Sequence, residues 1–198
     1  VDSFVIADCL RFGRINKEVY LDDYRYKALQ NLTRARFFAV QNLVKEKQRF
    51  LNYLFKKYST MAQEKVFSNT FSTSALAVYE EFDSAETLAD MDLQQLTEFL
   101  IQKGKNRFPD PESVAKAIQK AARSSYRLPK TINDSVNQVL SISISSMKAL
   151  ESQIKAFDKA IAAQMELIPN TLTSVNGIGP VYSAGIIAII SMDSQNTL

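Results

Sequence analysis

The stretch from Asp22 to Lys57 contains neither glycine nor proline, and it constrains the fold more than any other part of the sequence. Its apolar residues recur every three or four positions, which is the period of an α-helix. A second series of apolar residues lies beside the first and widens the apolar face. A helix over this stretch would be about 54 Å long at roughly 1.5 Å per residue, which exceeds what a compact domain needs.

A second long helix is predicted over residues 131–168. Between Met147 and Ile161 the apolar residues alternate in steps of three and four, as in a coiled-coil seam. Pro129 and Pro169 bracket the segment, because proline is rarely accommodated inside a helix. Two long amphipathic helices of similar length predict an antiparallel coiled-coil hairpin. Their remaining apolar stripes could meet a second copy of the chain, so we expect a homodimer or a higher homo-oligomer.

Between the long helices, three polar residues predict the starts of short helices. Ser84 and Asp92 each suit an N-cap position, and Asp110 is an N-cap followed by Pro111 in the first turn. No alternating apolar pattern requires a strand. We therefore predict an all-α fold with five segments: 1–13, a short helix; 14–58, the first long helix; 59–130, an inserted small helical subdomain; 131–168, the second long helix; and 169–198, a C-terminal helical segment.

Composition excludes several classes of site. The chain of 198 residues has no histidine and a single cysteine, Cys9, which excludes Ser-His-Asp triads, histidine metal sites, internal disulfides and cysteine zinc sites. The longest apolar run, Ile186–Ile190, is too short to span a bilayer. No signal peptide is recognisable, so a cytoplasmic location is expected. Because the first residue is Val1 rather than methionine, we expect a fragment of a longer protein.

Charge is segregated along the chain, although the formal net charge is only +3. Residues 11–58 include 12 basic and 4 acidic side chains, residues 80–98 include 7 acidic and no basic ones, and residues 103–130 include 8 basic and 2 acidic ones. Such blocks are typical of a polyanion-binding surface beside a protein-binding one. They are equally typical of solvated helix faces, and the sequence leaves both interpretations open.

The first long helix carries the basic residues that we expect to contact nucleic-acid phosphates, namely Arg34, Arg36, Lys45, Lys47 and Arg49, and it ends with Lys56 and Lys57. Aromatic residues alternate with them: Phe37, Phe38, Phe50, Tyr53 and Phe55. Aromatic rings can stack on bases, but packing inside the coiled coil is the favoured interpretation for these residues. The alternative for the basic residues is that they only solvate the back of the helix.

The segment 171–190 has a Gly-Ile-Gly turn between apolar residues and a helix rich in small side chains, which predicts a helix-hairpin-helix. Gly177, Ile178 and Gly179 would bind one phosphate through their backbone N–H groups, together with the N-terminus of the following helix. The alternative is a plain glycine turn between packed helices. The motif alone does not identify a reaction.

Three segments also carry a family resemblance. Residues 2–13 are similar to the pattern Asp-Ala-x-x-Ile-Ala-x-x-Leu-Arg-x-Gly, and residues 32–36 to Leu-Thr-Arg-x-Arg at the start of a long helix. Residues 175–184 resemble Pro-Gly-Ile-Gly-Pro-x-x-Ala, with Asn176 in place of the usual first proline and the alanine one position later, at Ala184. In this order the segments resemble the IS-one-ten (IS-one-sixteen / IS-nine-hundred-two) family of bacterial insertion-sequence transposases.

The resemblance implies that this chain is the middle region of such a transposase. Segment 1–13 would close a RuvC-like domain, segments 14–58 and 131–168 would form the coiled-coil linker, and segment 169–198 would begin the C-terminal transposase domain. In this family a DEDD set of carboxylates binds Mg²⁺, and Asp2 matches the last member. The other three carboxylates would precede Val1, and the motif of the nucleophilic serine would follow Leu198.

The resemblance further implies DNA (element ends and target) and a guide or bridge RNA as partners, with a bacterial, nucleoid-associated location. Mg²⁺ is expected only in the intact parent protein, and this fragment is expected to be inactive alone, because one carboxylate cannot position the metal. The alternative function is a coiled-coil interaction scaffold without a nucleic-acid role. A standalone helix-hairpin-helix DNA-repair module is a third, less favoured interpretation.

Overall fold

The computed structural model describes residues 11, 24–64, 66–105 and 108–196, and this part of the chain contains helices and no strand. The prediction of an all-α fold is confirmed. Eight α-helices and one 3₁₀ helix are described: α1 (Tyr24–Lys57), α2 (Ser59–Gln63), α3 (Thr73–Glu81), α4 (Ala85–Asp90), α5 (Leu93–Gly104), α6 (Pro111–Arg123), α7 (Lys130–Glu166), the 3₁₀ helix (Leu172–Ser174) and α8 (Pro180–Asn196).

The two long predicted helices are present as α1 and α7, with bounds close to those expected from the sequence. The chain divides into two compact units, to which both long helices contribute. The central unit comprises Ala39–Ile154, and the terminal unit comprises Val1–Phe38 together with Lys155–Leu198.

The central unit has a large apolar core between the second half of α1, the short helices and the first half of α7. Within it, α6 packs against α2, α4 and α5, and α5 packs against α3. Phe50 is fully buried, and its ring centroid lies 5.8 Å from that of Phe71 and 6.1 Å from that of Tyr79. Other fully buried members are Leu54, Tyr58, Leu88, Leu96, Leu100, Ile118 and Ile144.

The predicted starts of the short helices are confirmed. The Ser84 hydroxyl accepts a hydrogen bond from the backbone N–H of Thr87, and the Asp92 carboxylate accepts from two backbone N–H groups of α5. Asp110 caps α6, whose first residue is Pro111. Each cap gives a partner to N–H groups that the first turn of a helix cannot bond internally.

The terminal unit has a smaller core formed by Leu29, Ile161, Met165, Ile168 and Ala184. In this unit α1 and the end of α7 contact each other in opposite chain order. Arg25 donates to the backbone carbonyl of Leu167 at 2.9 Å, and Arg36 pairs with Asp158 at 2.5 Å. Within this unit α1 and the end of α7 therefore run antiparallel. A coiled-coil hairpin along the full length of both helices stays a prediction.

The C-terminal segment differs in detail from the expected helix-hairpin-helix. The chain before the glycine turn forms a single 3₁₀ turn, Leu172–Ser174, instead of an α-helix. Asn170, directly after Pro169, accepts from the N–H of Thr173 through its side chain, which holds the chain in a tight turn. The element pair around the turn is therefore a 3₁₀ helix and α8.

Candidate functional site

The basic residues that were predicted to contact phosphates fall into two groups. Arg36 and Lys47 pair with carboxylates of α7, Arg36 with Asp158 in the terminal unit and Lys47 with Glu151 at 3.6 Å in the central unit. The Nζ atom of Lys47 also lies 5.0 Å from the ring centroid of Phe71. These two side chains help to join α1 to α7, and their charge is already balanced inside the chain.

The second group lies on an exposed face of α1 in the central unit. Lys45 and Arg49 belong to it, and Lys56, which was not among the predicted contacts, lies on the same side of the helix at spacings of four and seven residues; all three are exposed. We call this face the outer basic stripe. The structure describes no ion pair for Lys45, whereas Arg49 pairs with Glu46 one turn earlier. In the terminal unit, Arg34 is also exposed.

An apolar stripe runs along α1 beside the outer basic stripe. Val44, Leu51 and Phe55 are spaced by seven and four residues, and they expose 50%, 38% and 41% of their surface. We call this set the outer apolar stripe. The spacing is that of a coiled-coil seam, in which such residues are normally covered by another helix. Within the described part of the chain, this seam is left partly open to solvent.

The glycine turn contains Gly177, Ile178 and Gly179, and the N–H of Ile178, which was predicted to bind phosphate, donates to the carbonyl of Val175 at 3.0 Å. Gly177 has a positive φ of 88°, a conformation that favours glycine. Gly179 precedes Pro180, the first residue of α8, and its carbonyl accepts from the N–H of Ser183. Gly177 and Gly179 each have open space where a side chain would begin.

The predicted catalytic residue Asp2, with its metal-binding role, lies outside the described residues. Among the residues that the structure does describe, no three acidic or cysteine side chains are grouped as a metal ion would require. The donor set for Mg²⁺ that the family resemblance implies is therefore not assembled by those residues, and we assign no chemical step to a metal.

Sequence reasoning placed Lys57 with the exposed basic residues, and the structure corrects this. Lys57 is only 2% exposed, and its Nζ donates to the backbone carbonyl of Tyr79 at 2.9 Å. The neighbouring Tyr58 hydroxyl donates to the carbonyl of Phe82 at 2.8 Å. The carbonyls at the end of α3 have no partner within that helix, so the last residues of α1 supply their hydrogen bonds.

Two asparagines of α7 complete this arrangement, which we call the carbonyl clamp. The side-chain amides of Asn133 and Asn137 both donate to the carbonyl of Asp83, at 2.7 and 2.8 Å. The connection from α3 to α4 is thereby joined to both long helices. The side-chain oxygen of Asn137 is buried but has no hydrogen-bond partner. A buried acceptor without a donor is uncommon, since it costs free energy.

Beside the clamp lies a pocket of about 360 Å³ between α1, α3 and α7, open to solvent. Lys57, Tyr79, Glu80, Asn137 and Ser141 line it, with two further residues of α7. Burial lowers the pKa of Lys57 from its ordinary 10.5 to about 8, and the charge of Asp83 opposes part of this shift. Burial also raises the pKa of Tyr58 and of Tyr79, so both phenols stay neutral.

The burial of Lys57 could have been predicted from the spacing of residues along α1. Leu43, Lys47, Phe50, Leu54 and Lys57 are spaced by four, three, four and three residues, so both lysines fall on the apolar face. Lys56 falls on the opposite side, which explains why two adjacent lysines have such different environments.

None of the described helices has the combination of length and apolar character that crossing a membrane requires. Comparison of the chain with protein-family models, with curated proteins and with solved structures found no match.

Proposed function

We propose that this chain is the coiled-coil linker, oligomerisation and nucleic-acid-binding region of an insertion-sequence transposase of the IS-one-ten type. The order of the three family-like segments supports the identity of the parent. The outer basic stripe supports nucleic-acid binding, because Lys45, Arg49 and Lys56 are exposed on one face, although Arg49 also pairs with Glu46. That stripe is the observation on which the proposal mainly rests.

The location of the acidic residues supports the same interpretation. Glu80, Glu81, Glu86 and Asp90, which belong to the acidic block, are exposed on α3 and α4 rather than interleaved with the outer basic stripe on α1. Separate surfaces of opposite charge suit one polyanionic partner and one protein partner. In the proposed parent, the nucleic acids are the element-end and target DNA and the guide RNA, the protein acts in the bacterial cytoplasm, and Mg²⁺ belongs to residues beyond the described ones.

The second candidate is a coiled-coil interaction scaffold without a nucleic-acid role. The pairing of Arg36 with Asp158 and of Lys47 with Glu151 favours it, since these charges already have intrachain partners. The outer apolar stripe suits both candidates, because both require association with another helix.

Nucleic-acid titration of the whole chain distinguishes the two candidates. Changing Lys45, Arg49 and Lys56 together to Gln should weaken binding to structured RNA and to duplex DNA on the order of 100-fold at 0.1 M salt. The reason is that binding releases fewer counterions from the nucleic acid when fewer phosphates are contacted. The measurement is fluorescence anisotropy with labelled RNA and DNA of several sequences. Weakening should be similar for all sequences, since phosphate contacts do not depend on the base.

The matched control removes charge from the acidic surface instead. Glu80→Gln with Glu81→Gln should leave binding unchanged or strengthen it slightly, because these exposed carboxylates repel phosphate. If the unaltered chain fails to bind, or if the basic-stripe variant binds as tightly as the unaltered chain, the scaffold becomes the better account.

A further inference from the structure

Two phenylalanines of the terminal unit are not packed as the sequence predicts. The sequence favours packing inside a coiled coil for Phe37 and Phe38, whereas the structure leaves them 57% and 59% exposed. Their ring centroids lie 5.9 Å apart and the ring planes are inclined at 65°, so the rings meet edge to face. In this arrangement each ring keeps at least one face that the other ring does not cover. The pair therefore offers aromatic surface to another molecule.

The surroundings of the two rings are basic. Arg34 is exposed and precedes Phe37 by three residues and Phe38 by four, and residues at these spacings are neighbours on a helix surface. Residues 24–38 and 155–189 of the terminal unit include six basic and two acidic side chains. One of the two acidic side chains, Asp158, already pairs with Arg36. The charge of this unit therefore favours an anionic partner for the exposed rings.

We propose that Phe37 and Phe38 form a stacking platform for unpaired nucleotides, and that Arg34 contacts the phosphates of the same strand. Every base has a flat π face that can stack on an aromatic ring, and basic side chains follow the backbone at such sites. Bases inside a duplex are already stacked and paired, so the platform takes single strands, loops and ends.

This inference rests on the proposed nucleic-acid function and specifies which form of nucleic acid the terminal unit binds. Its aromatic residues lie outside the outer basic stripe, which belongs to the central unit. The two sets of residues can therefore be changed separately.

The chemistry of the side chains distinguishes a nucleic acid from an apolar protein partner. A helix of another chain would need apolar bulk at the two positions, which leucine supplies as well as phenylalanine. Stacking on a base needs a π face, which leucine lacks and tyrosine keeps. Replacement of both residues by leucine therefore separates the two kinds of partner, and replacement of both by tyrosine is the matched control.

Titration of the whole chain with two matched single strands tests the proposal. One is a labelled oligothymidine of about 12 nucleotides, and the other is an abasic strand with the same number of phosphates. Fluorescence anisotropy should show at least about tenfold tighter binding of the strand with bases, because stacking adds to the phosphate contacts that both strands share. Phe37→Leu with Phe38→Leu should remove this preference without weakening binding of the abasic strand. Phe37→Tyr with Phe38→Tyr should keep the preference.

A fluorescent base analogue reports the stacking itself. A 2-aminopurine placed in the strand should be quenched by the unaltered chain and by the tyrosine variant, but not by the leucine variant. Because both rings are exposed, both variants should keep the helix content of the unaltered chain, which circular dichroism measures.

A preference for bases that survives in the leucine variant would overturn the proposal. Equal binding of the two strands by the unaltered chain would also overturn it, and would leave the phosphate contacts of the proposed function in place. Failure of the unaltered chain to bind either strand would contradict the proposed function and this inference together.

Discussion

Phe50→Ala should destabilise the chain by roughly 3–5 kcal/mol, because the substitution removes a fully buried ring and leaves a cavity. Phe50 contacts the rings of Phe71 and Tyr79, so α1 would lose its anchor to the segments on either side of the start of α3. The expected result is a large fall in the urea midpoint. Circular dichroism of the variant across a urea series measures it.

The control uses another aromatic residue of the same helix. Phe38 is 59% exposed, so Phe38→Ala should change the free energy of unfolding by no more than about 0.5 kcal/mol. Comparison of the two variants tests whether Phe50 packs in the core while Phe38 lies at the surface. Equal losses from Phe38→Ala and Phe50→Ala would contradict the burial on which the described core depends.

Val44→Glu combined with Leu51→Glu should abolish self-association through α1. We expect the unaltered chain to form dimers or larger assemblies at tens of micromolar, because the outer apolar stripe has coiled-coil spacing and is partly uncovered. Two carboxylates in such an interface should raise the dissociation constant more than about 100-fold, since each lost apolar side chain contributes roughly 1.5–3 kcal/mol. Light scattering over a concentration series detects the change.

Because the substituted side chains are exposed, the double variant should retain its helix content. Ile101→Glu with Tyr126→Glu is the matched control, since these residues are 37% and 73% exposed but lie off α1. This control should associate like the unaltered chain. A strict monomer before any substitution, or assembly that survives the stripe variant, would exclude α1 as the association surface.

The elements that could be predicted from the sequence are those determined by local chemistry. The absence of helix breakers and the apolar period indicated α1 and α7, and the side chains of Ser84, Asp92 and Asp110 marked helix starts. The start of α3 was missed because Ser72, its N-cap, lies among several serines and threonines that look equally suitable. Choosing between them depends on packing with distant residues.

The environments of the basic residues could be predicted only in part. Charge composition indicates that α1 is basic, but the pairing of Arg36 with Asp158 depends on which face of α7 lies opposite. The burial of Lys57 depends on the carbonyl of Tyr79, which is 22 residues away in the sequence. Long-range partners of this kind leave no local pattern, so the carbonyl clamp and its pocket were not predicted.

The salt dependence of nucleic-acid binding tests the central claim most directly. If Arg34 and the outer basic stripe of Lys45, Arg49 and Lys56 contact phosphates, log K should fall with log salt with a slope of about −3, at roughly 0.7 to 0.9 per contact. The variant with Gln at the three stripe positions should lose about 2 units of that slope. A slope near zero for the unaltered chain, or the same slope in both proteins, would contradict the claim.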